Sequence, residues 1–277
     1  MQTIGWREAI SETGKRASIF TRVLRDTVVG GNLASARFAG KPRTFARYAN
    51  ECLFLYGLFD HQNGLPQAAV WKGLELGAVT AQVDVAMYPE AADEWFPGLA
   101  SLGVDLVSLC TMCRILRPKV IFEIGTLRGA GTLHLAGNSP DAETFTLDLA
   151  VSERPSLSTS IFDNERIGVR FDTRRHHFTG RPEEKRIHCL YGDSAEFDFR
   201  PWAQKVDLFF IDGAHSYEYV RNDTLKALTC CRAGSVLAWH DYGRPGINGV
   251  SKWLHEFQAE GHKVFRVPGG SLAYAQV

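Results

Sequence analysis

From about residue 97 onward, seven short apolar runs punctuate the chain, near 120–124, 144–148, 186–191, 206–211, 235–239, 263–267 and 271–276. Amphipathic stretches separate most of them, and that alternation predicts βα units and a mostly parallel sheet. The run Val120-Ile-Phe-Glu-Ile124 suits a strand buried on both faces. The last two runs are joined by Pro268-Gly269-Gly270, too short for a crossover helix, so they pair antiparallel as a hairpin. Tyr217, Val220, Thr224 and Leu228 recur at helical spacing after the fourth run, as do Val250, Leu254 and Phe257 after the fifth. Leu106, Leu109, Met112, Cys113 and Leu116 mark a further helix face before the first. Residues 1–95 read as helical segments without a repeat, broken at Gly30-Gly31, Gly40-Lys41-Pro42 and Gly64-Leu65-Pro66. The expected organisation is a helical N-terminal extension over 1–95 and an α/β domain over 96–277.

The polar interruptions of this pattern carry the chemistry. Glu123 breaks an otherwise apolar strand, and a charge at the end of a central strand suggests a ligand. Gly125, Gly129 and Gly131 follow, a turn that lets backbone pass close beneath such a ligand. The spacing G-x-x-x-G-x-G departs from the dinucleotide fingerprint, because Leu127 and His134 stand where glycine is required, so a diphosphate cofactor is disfavoured. Asp148 ends the second run about 20 residues after the turn, a placement suited to ribose hydroxyls. Asp193 and Ser194 end the third, where they face an adenine edge or simply make a turn. Asp212 and His215 end the fourth, and His240 and Asp241 the fifth. If those two strands are neighbours, Asp212 and Asp241 converge on one divalent cation; otherwise one caps a helix and the other makes a structural hydrogen bond. Asp223 and Trp253 take only structural roles in this reading.

Composition narrows the picture. With 45% apolar and 22% charged residues, the 277-residue chain is an ordinary globular protein. The zero net charge argues against a dedicated nucleic-acid binder, although residues 1–50 carry nine Lys/Arg against three Asp/Glu. That basic segment reads as a solvated helical face docking on an acidic body, or as a contact with a partner, a membrane surface or another copy of the chain. No apolar run approaches a bilayer span and the first residues lack a signal-peptide core, so a cytoplasmic location is expected. The six cysteines, Cys110-x-x-Cys113 included, read as reduced core residues. A long polar insertion over about 151–185 holds Arg170, Arg174, Arg175, His176, His177 and Arg181, with Arg186 just beyond it. It reads either as a solvated loop or as a lid supplying cations to an acceptor.

Taken in order, Glu123-Ile-Gly-Thr-Leu-Arg-Gly129, Asp148, Gly192-Asp-Ser194, Phe210-Ile-Asp-Gly-Ala-His-Ser-Tyr217 and Trp239-His-Asp-Tyr242 resemble the class I S-adenosylmethionine-dependent methyltransferases. The likeness is to the branch holding macrolide-sugar O-methyltransferases and the so-called cephalosporin hydroxylase group, and it covers about residues 97–277. It implies a Rossmann-like seven-stranded sheet of order 3-2-1-4-5-7-6 with strand 7 antiparallel. It further implies S-adenosylmethionine against Glu123, Gly125, Thr126 and Gly129, its ribose on Asp148, its adenine near Asp193 and Ser194, and Asp212 on the shared rim. Some relatives hold Mg2+ through acids matching Asp212 and Asp241, although this chain has His240-Asp241 where several carry two acids. The implied activity is O-methylation of a small-molecule or sugar hydroxyl; for it, Asp212 and Asp241 are expected to hold the metal and His215 to act as base, with His240 a substitute in either role. The rival readings are a non-catalytic S-adenosylmethionine-binding module and an oxidoreductase or hydroxylase on the same fold. No flavin, haem or iron signature supports the last.

Overall fold

The computed structural model describes residues 65–70, 83–91, 100–150, 152–160, 163, 176–244 and 247–277. Its seven strands are β1 (Val120–Ile124), β2 (Glu143–Asp148), β3 (Ile187–Tyr191), β4 (Val206–Ile211), β5 (Cys231–Trp239), β6 (Val264–Arg266) and β7 (Ala273–Gln276). They form one sheet of order β3-β2-β1-β4-β5-β7-β6. The pairs from β3 to β5 are parallel, and β7 is antiparallel to both β5 and β6. Four helices accompany them: α1 (Ala100–Leu116), α2 (Ala130–Gly137), α3 (Tyr217–Cys230) and α4 (Asn248–Ala259). This is the architecture expected from the alternation of apolar runs.

Two-residue periodicity divides the core between the faces of the sheet. Phe122, Phe209, Leu237 and Trp239 point to one face and pack with Val220, Trp253 and Phe257 of α3 and α4. Ile121, Leu208, Phe210 and Val236 point to the other and meet Leu109, Met112 and Cys113 of α1. Phe122 and Phe209 stack across β1 and β4 with centroids 5.0 Å apart. At the entrance of β4, the buried Asp207 accepts hydrogen bonds from the amides of Lys119 and Val120 and pairs with Arg232, so the one acid of that strand is satisfied where β1 begins. β5 begins four residues earlier than its apolar run, because Arg232, Ala233 and Gly234 continue the strand while exposed to solvent.

The described parts of the N-terminal stretch contribute to this core. Leu65 and Val70 are buried in it, and Gln67 forms a parallel bridge with Arg266 at the sheet edge. Asn138, at the end of α2, donates to the Ala86 carbonyl and accepts from the Ala86 amide, both at 2.8 Å. The basic residues 1–50 lie outside the described residues, as does Cys52. The five described cysteines are free thiols, four of them buried. Among the described residues no helix is long and apolar enough to cross a membrane.

The sheet fixes where a site can form. From β1 the chain moves to β2 on one side, while β4 and β5 lie on the other, so a crevice opens at the carboxyl ends of β1 and β4. The parallel ladder runs to that rim: the amides of Gly125, Asp212 and His240 bond to the carbonyls of Leu147, Ile124 and Ile211.

Candidate active site

The glycine turn after β1 is shaped by its neighbours. Gly125 has φ 104°, and a Cβ there would lie 2.1 Å from the Asp212 carbonyl oxygen. The turn therefore packs against the end of β4, and no larger residue fits. Asp148 accepts from the Leu127 amide with one oxygen and from the Leu149 amide with the other, both at 2.8 Å. Burial pushes its carboxyl pKa up, and those amides and the charge of nearby His176 oppose the shift.

Glu123 is 1% exposed and lies beneath the turn. Its Oε2 accepts from the hydroxyls of Thr132 and Thr146, and Thr146 shares a 2.6 Å hydrogen bond with Thr126. Burial lifts Glu123 to about 8, with the two threonine bonds only partly opposing it. A Cβ on Gly131 would come within 2.7 Å of Glu123 Oε1, so this glycine makes room for the acid beneath it. Glu123 and Thr126, both expected beside the cofactor, are thus joined to one another through Thr146.

On the β3 side, Asp193 is 8% exposed. It accepts from the amides of Ala195 and Ser156 and from the Tyr219 hydroxyl, and these bonds outweigh burial and hold its pKa below the usual range. Behind Ser194 sits Asp223 of α3, raised to about 7 by burial against opposing bonds from Ser194 and Asn222. Its structural assignment agrees with this interior position.

The insertion approaches the same crevice from two directions. Residues 152–160 pass over Asp193, and His176, His177 and Phe178 return to the glycine turn. The His177 amide bonds to the Arg128 carbonyl at 2.9 Å, and Phe178 covers Gly129. Two of its expected free cations are spent on structure. Arg186 donates to the carbonyls of Ala136, Ser139 and Ala142 at the end of α2, and Arg181 donates to the His177 carbonyl and to Glu90. Both arginines satisfy backbone acceptors that burial would otherwise leave unpaired. Arg170, Arg174 and Arg175 lie outside the described residues.

At the ends of β4 and β5 the network is ionic. His240 places Nδ1 3.1 Å from Asp212 and 3.2 Å from Asp241, with Nε2 3.5 Å from Asp105 of α1. Asp105 in turn accepts from the amides of Ser271 and Leu272 and from the Ser271 hydroxyl. His215 bonds Asp163 of the insertion through Nδ1 at 2.6 Å and Asp241 through Nε2 at 2.7 Å. Arg244 adds a third cation at 2.5 Å from Asp241. Burial works to lower both histidines, but the surrounding carboxylates outweigh it, raising His215 to about 10 and His240 well above its ordinary value. Burial likewise opposes ionisation of Asp241, and the charges of His240 and His215 hold its pKa well below the usual range. Asp241 also adopts φ 65°, a left-handed conformation that a non-glycine residue keeps only when its surroundings enforce it.

The structure therefore gathers Asp212, His215, His240 and Asp241, as the strand-end argument anticipated. It adds Asp105, Asp163 and Arg244, which that argument missed. Asp105 had a legible signal: it lies four and seven residues before Leu109 and Met112, an acid on an apolar helix face. Asp163 had none, being one acid among many in a polar insertion. Asp212, His240 and Asp241 each offer a ligand atom, all within 4.8 Å of one another, a spacing compatible with a divalent ion.

Residues 122–242 match the family model described as a methyltransferase domain. No curated protein matches the sequence. Among solved structures, the O-methyltransferase TomG from Streptomyces achromogenes, involved in tomaymycin synthesis, is 21% identical, with 70% of this chain and 91% of that one covered and a TM-score of 0.47. The calicheamicin methyltransferase CalS11 is 18% identical over 64% and 80%, TM-score 0.47. An O-methyltransferase from Bacillus cereus is 16% identical over 68% and 88%, TM-score 0.43. Over residues 122–242 the chain is thus similar to a methyltransferase domain, and those residues span β1 to the rim of β5, the part of the sheet that frames the crevice.

Proposed function

We propose that this domain transfers the methyl group of S-adenosylmethionine to a hydroxyl of a small, polar, sugar-like acceptor. The observation that carries the reading is adjacency: the Gly125 turn packs directly on the end of β4, whose Asp212 belongs to the acid–imidazole cluster. Cofactor and acceptor would meet across that contact. Gly125 closes the turn tightly on the end of β4, with Gly129 of the same turn beneath Phe178, and Asp148 keeps lone pairs beyond those used by Leu127 and Leu149 for ribose hydroxyls. Asp193 and Ser194 bound the adenine end. Glu123 and Thr126 support the turn from beneath.

The reaction forms an oxygen–carbon bond as the sulfonium–carbon bond breaks in line, and the hydroxyl loses its proton. Asp212 has the least buried carboxylate of the cluster, its side chain 12% exposed, and is assigned to receive that proton. His215 is the weaker choice of base, since each ring nitrogen faces a carboxylate and its raised pKa keeps it charged near neutrality. It holds Asp241 in place. His240 is likewise flanked by acids, and Asp105 behind Nε2 directs Nδ1 at Asp212 and Asp241.

That donor set suits a divalent cation: two carboxylates and one imidazole converge, and an outer carboxylate fixes the ring. Asp212, His240 and Asp241 would hold it. A bound Mg2+ or similar ion would lower the pKa of an acceptor hydroxyl and orient it. The N-terminal extension is assigned to contacts between copies, and a strictly monomeric full chain by light scattering removes that assignment. A cytoplasmic location goes with this reading.

Calorimetric titration with S-adenosylmethionine, with and without Mg2+, followed by an acceptor screen, tests the whole. Saturable binding and methyl transfer to a hydroxylated acceptor are expected. Absence of cofactor binding removes the proposal, and binding without turnover on any acceptor marks a binding module instead.

A further inference from the structure

The insertion between β2 and β3 lies across both halves of the crevice through named contacts. Its first arm meets the cofactor side where the Ser156 amide donates to Asp193 at 2.6 Å and the Leu157 amide donates to the Tyr219 hydroxyl, which itself bonds Asp193. A few residues on, Asp163 reaches the acceptor side. Its Oδ2 accepts from the His215 amide at 3.0 Å, from the Ser160 amide at 3.1 Å and from the Ser160 hydroxyl at 2.7 Å. Its Oδ1 takes the His215 ring at 2.6 Å. Asp163 is only 5% exposed, so the arm inserts a charged side chain into the interior.

A buried carboxylate is costly unless paired and fully hydrogen-bonded; Asp163 finds its charge partner in the His215 ring and its remaining hydrogen bonds in the His215 amide and in Ser160. The far nitrogen of that ring meets Asp241, 2.7 Å away. Asp241 is also the residue held at φ 65°, a conformation that needs enforcement from its surroundings. The imidazolium is thus fixed from the insertion side and presents its second N–H to the rim of β5.

We infer that residues 152–160 together with Asp163 act as a strap joining the two halves of the crevice, and that Asp163 is a positioning residue that sets Asp241 through His215. The inference rests on the proposed role of Asp241 beside the acceptor. It assigns the insertion a task different from the supply of free cations: its described arm delivers a carboxylate that orders the acceptor rim. The strap also links occupancy of the Asp193 side to order at Asp241, so cofactor binding and acceptor-site geometry are coupled.

Hydrogen–deuterium exchange of the full chain, followed by mass spectrometry, tests this without a known acceptor. In Asp163→Asn, which keeps the side-chain volume, exchange should quicken about tenfold both in the strap and in peptides covering 239–244, with α2 and the β6–β7 hairpin unchanged. His215→Gln should reproduce the effect at 239–244, and Asp163→Glu should recover part of it. If Asp163→Asn proves too unstable to purify, the His215→Gln and Asp163→Glu pair carries the test. Quickening confined to the strap, or no recovery with Glu, overturns the inference. S-adenosylhomocysteine titrated into wild-type protein should slow exchange at 239–244 as well as in the strap. Failure to bind it sinks the proposed function, while the variant results still decide the role of Asp163.

Discussion

The two halves of the crevice bury acids in opposite ways. Under the glycine turn, Glu123 is surrounded by threonine hydroxyls, with no cation among its bonding partners, and burial lifts it to about 8. At the ends of β4 and β5, Asp241 is equally buried yet held ionised among His215, His240 and Arg244. Desolvation acts on both carboxyls, and the partner decides the outcome. The glycine-turn half is therefore a neutral scaffold and the β4–β5 half a charged one, which suits the proposed reaction, where a proton must be removed at one end only.

The largest test of this contrast is Asp241→Ala. It leaves two imidazolium rings and a guanidinium facing one another, and a loss of about 3–5 kcal/mol is expected for breaking a buried charge network. Chemical denaturation measures it, and a loss under 1 kcal/mol would mean that the charges on this side are not mutually dependent. Next, Gly125→Ala should cost about 3 kcal/mol and abolish cofactor binding, from the positive φ and the clash with the β4 end. Calorimetry and melting together report it.

Glu123→Gln comes third, and its sign is specific. A carboxyl whose folded pKa is raised binds its proton more tightly in the native state, so wild-type stability should fall as pH rises from about 4.5 through about 8. The Gln variant lacks that decline and should be more stable by about 4–5 kcal/mol near pH 8, with little difference below pH 4.5. His215 gives a later alkaline window. Its stabilisation is complete below pH 6.5 and is lost as pH rises through about 10, so His215→Gln should flatten the upper part of the denaturation profile. Removing an exposed pair supplies the lower bound: Lys119 and Asp141 meet at 3.2 Å with side chains 66% and 76% exposed, and Asp141→Asn should change stability by under about 0.5 kcal/mol.

Much of the fold was legible because its signals are local and repetitive. Apolar runs of strand length separated by helical spacing gave all seven strands, and Pro268-Gly269-Gly270 gave the antiparallel hairpin. Where the periodic signal weakened, so did the reading: β5 starts at Cys231, but exposed Arg232 to Gly234 looked like a connection. Strand ends were equally legible in the site, because a parallel sheet gathers them on one rim whatever their separation in sequence. Asp212, His215, His240 and Asp241 came together for that reason.

What the sequence could not decide is the job each polar residue does once gathered. Glu123 and Asp241 are both acids at strand ends, yet one supports a turn from beneath as a raised carboxyl and the other anchors a cation cluster. His215 invited the role of a base, and the fold faces each of its ring nitrogens with a carboxylate, Asp163 and Asp241. Asp163 gave no sequence sign of belonging to this site and Asp105 only that of an acid on an apolar helix face, and the fold places both within its ionic network. Periodicity and turn chemistry are properties of neighbouring residues, so the chain alone determined the sheet, the crevice and the residues on its rim. Protonation state and orientation depend on partners tens of residues away and on the water excluded between them, so only the tertiary structure decided which acids are neutral, which are ionised, and which carboxylates each imidazole meets.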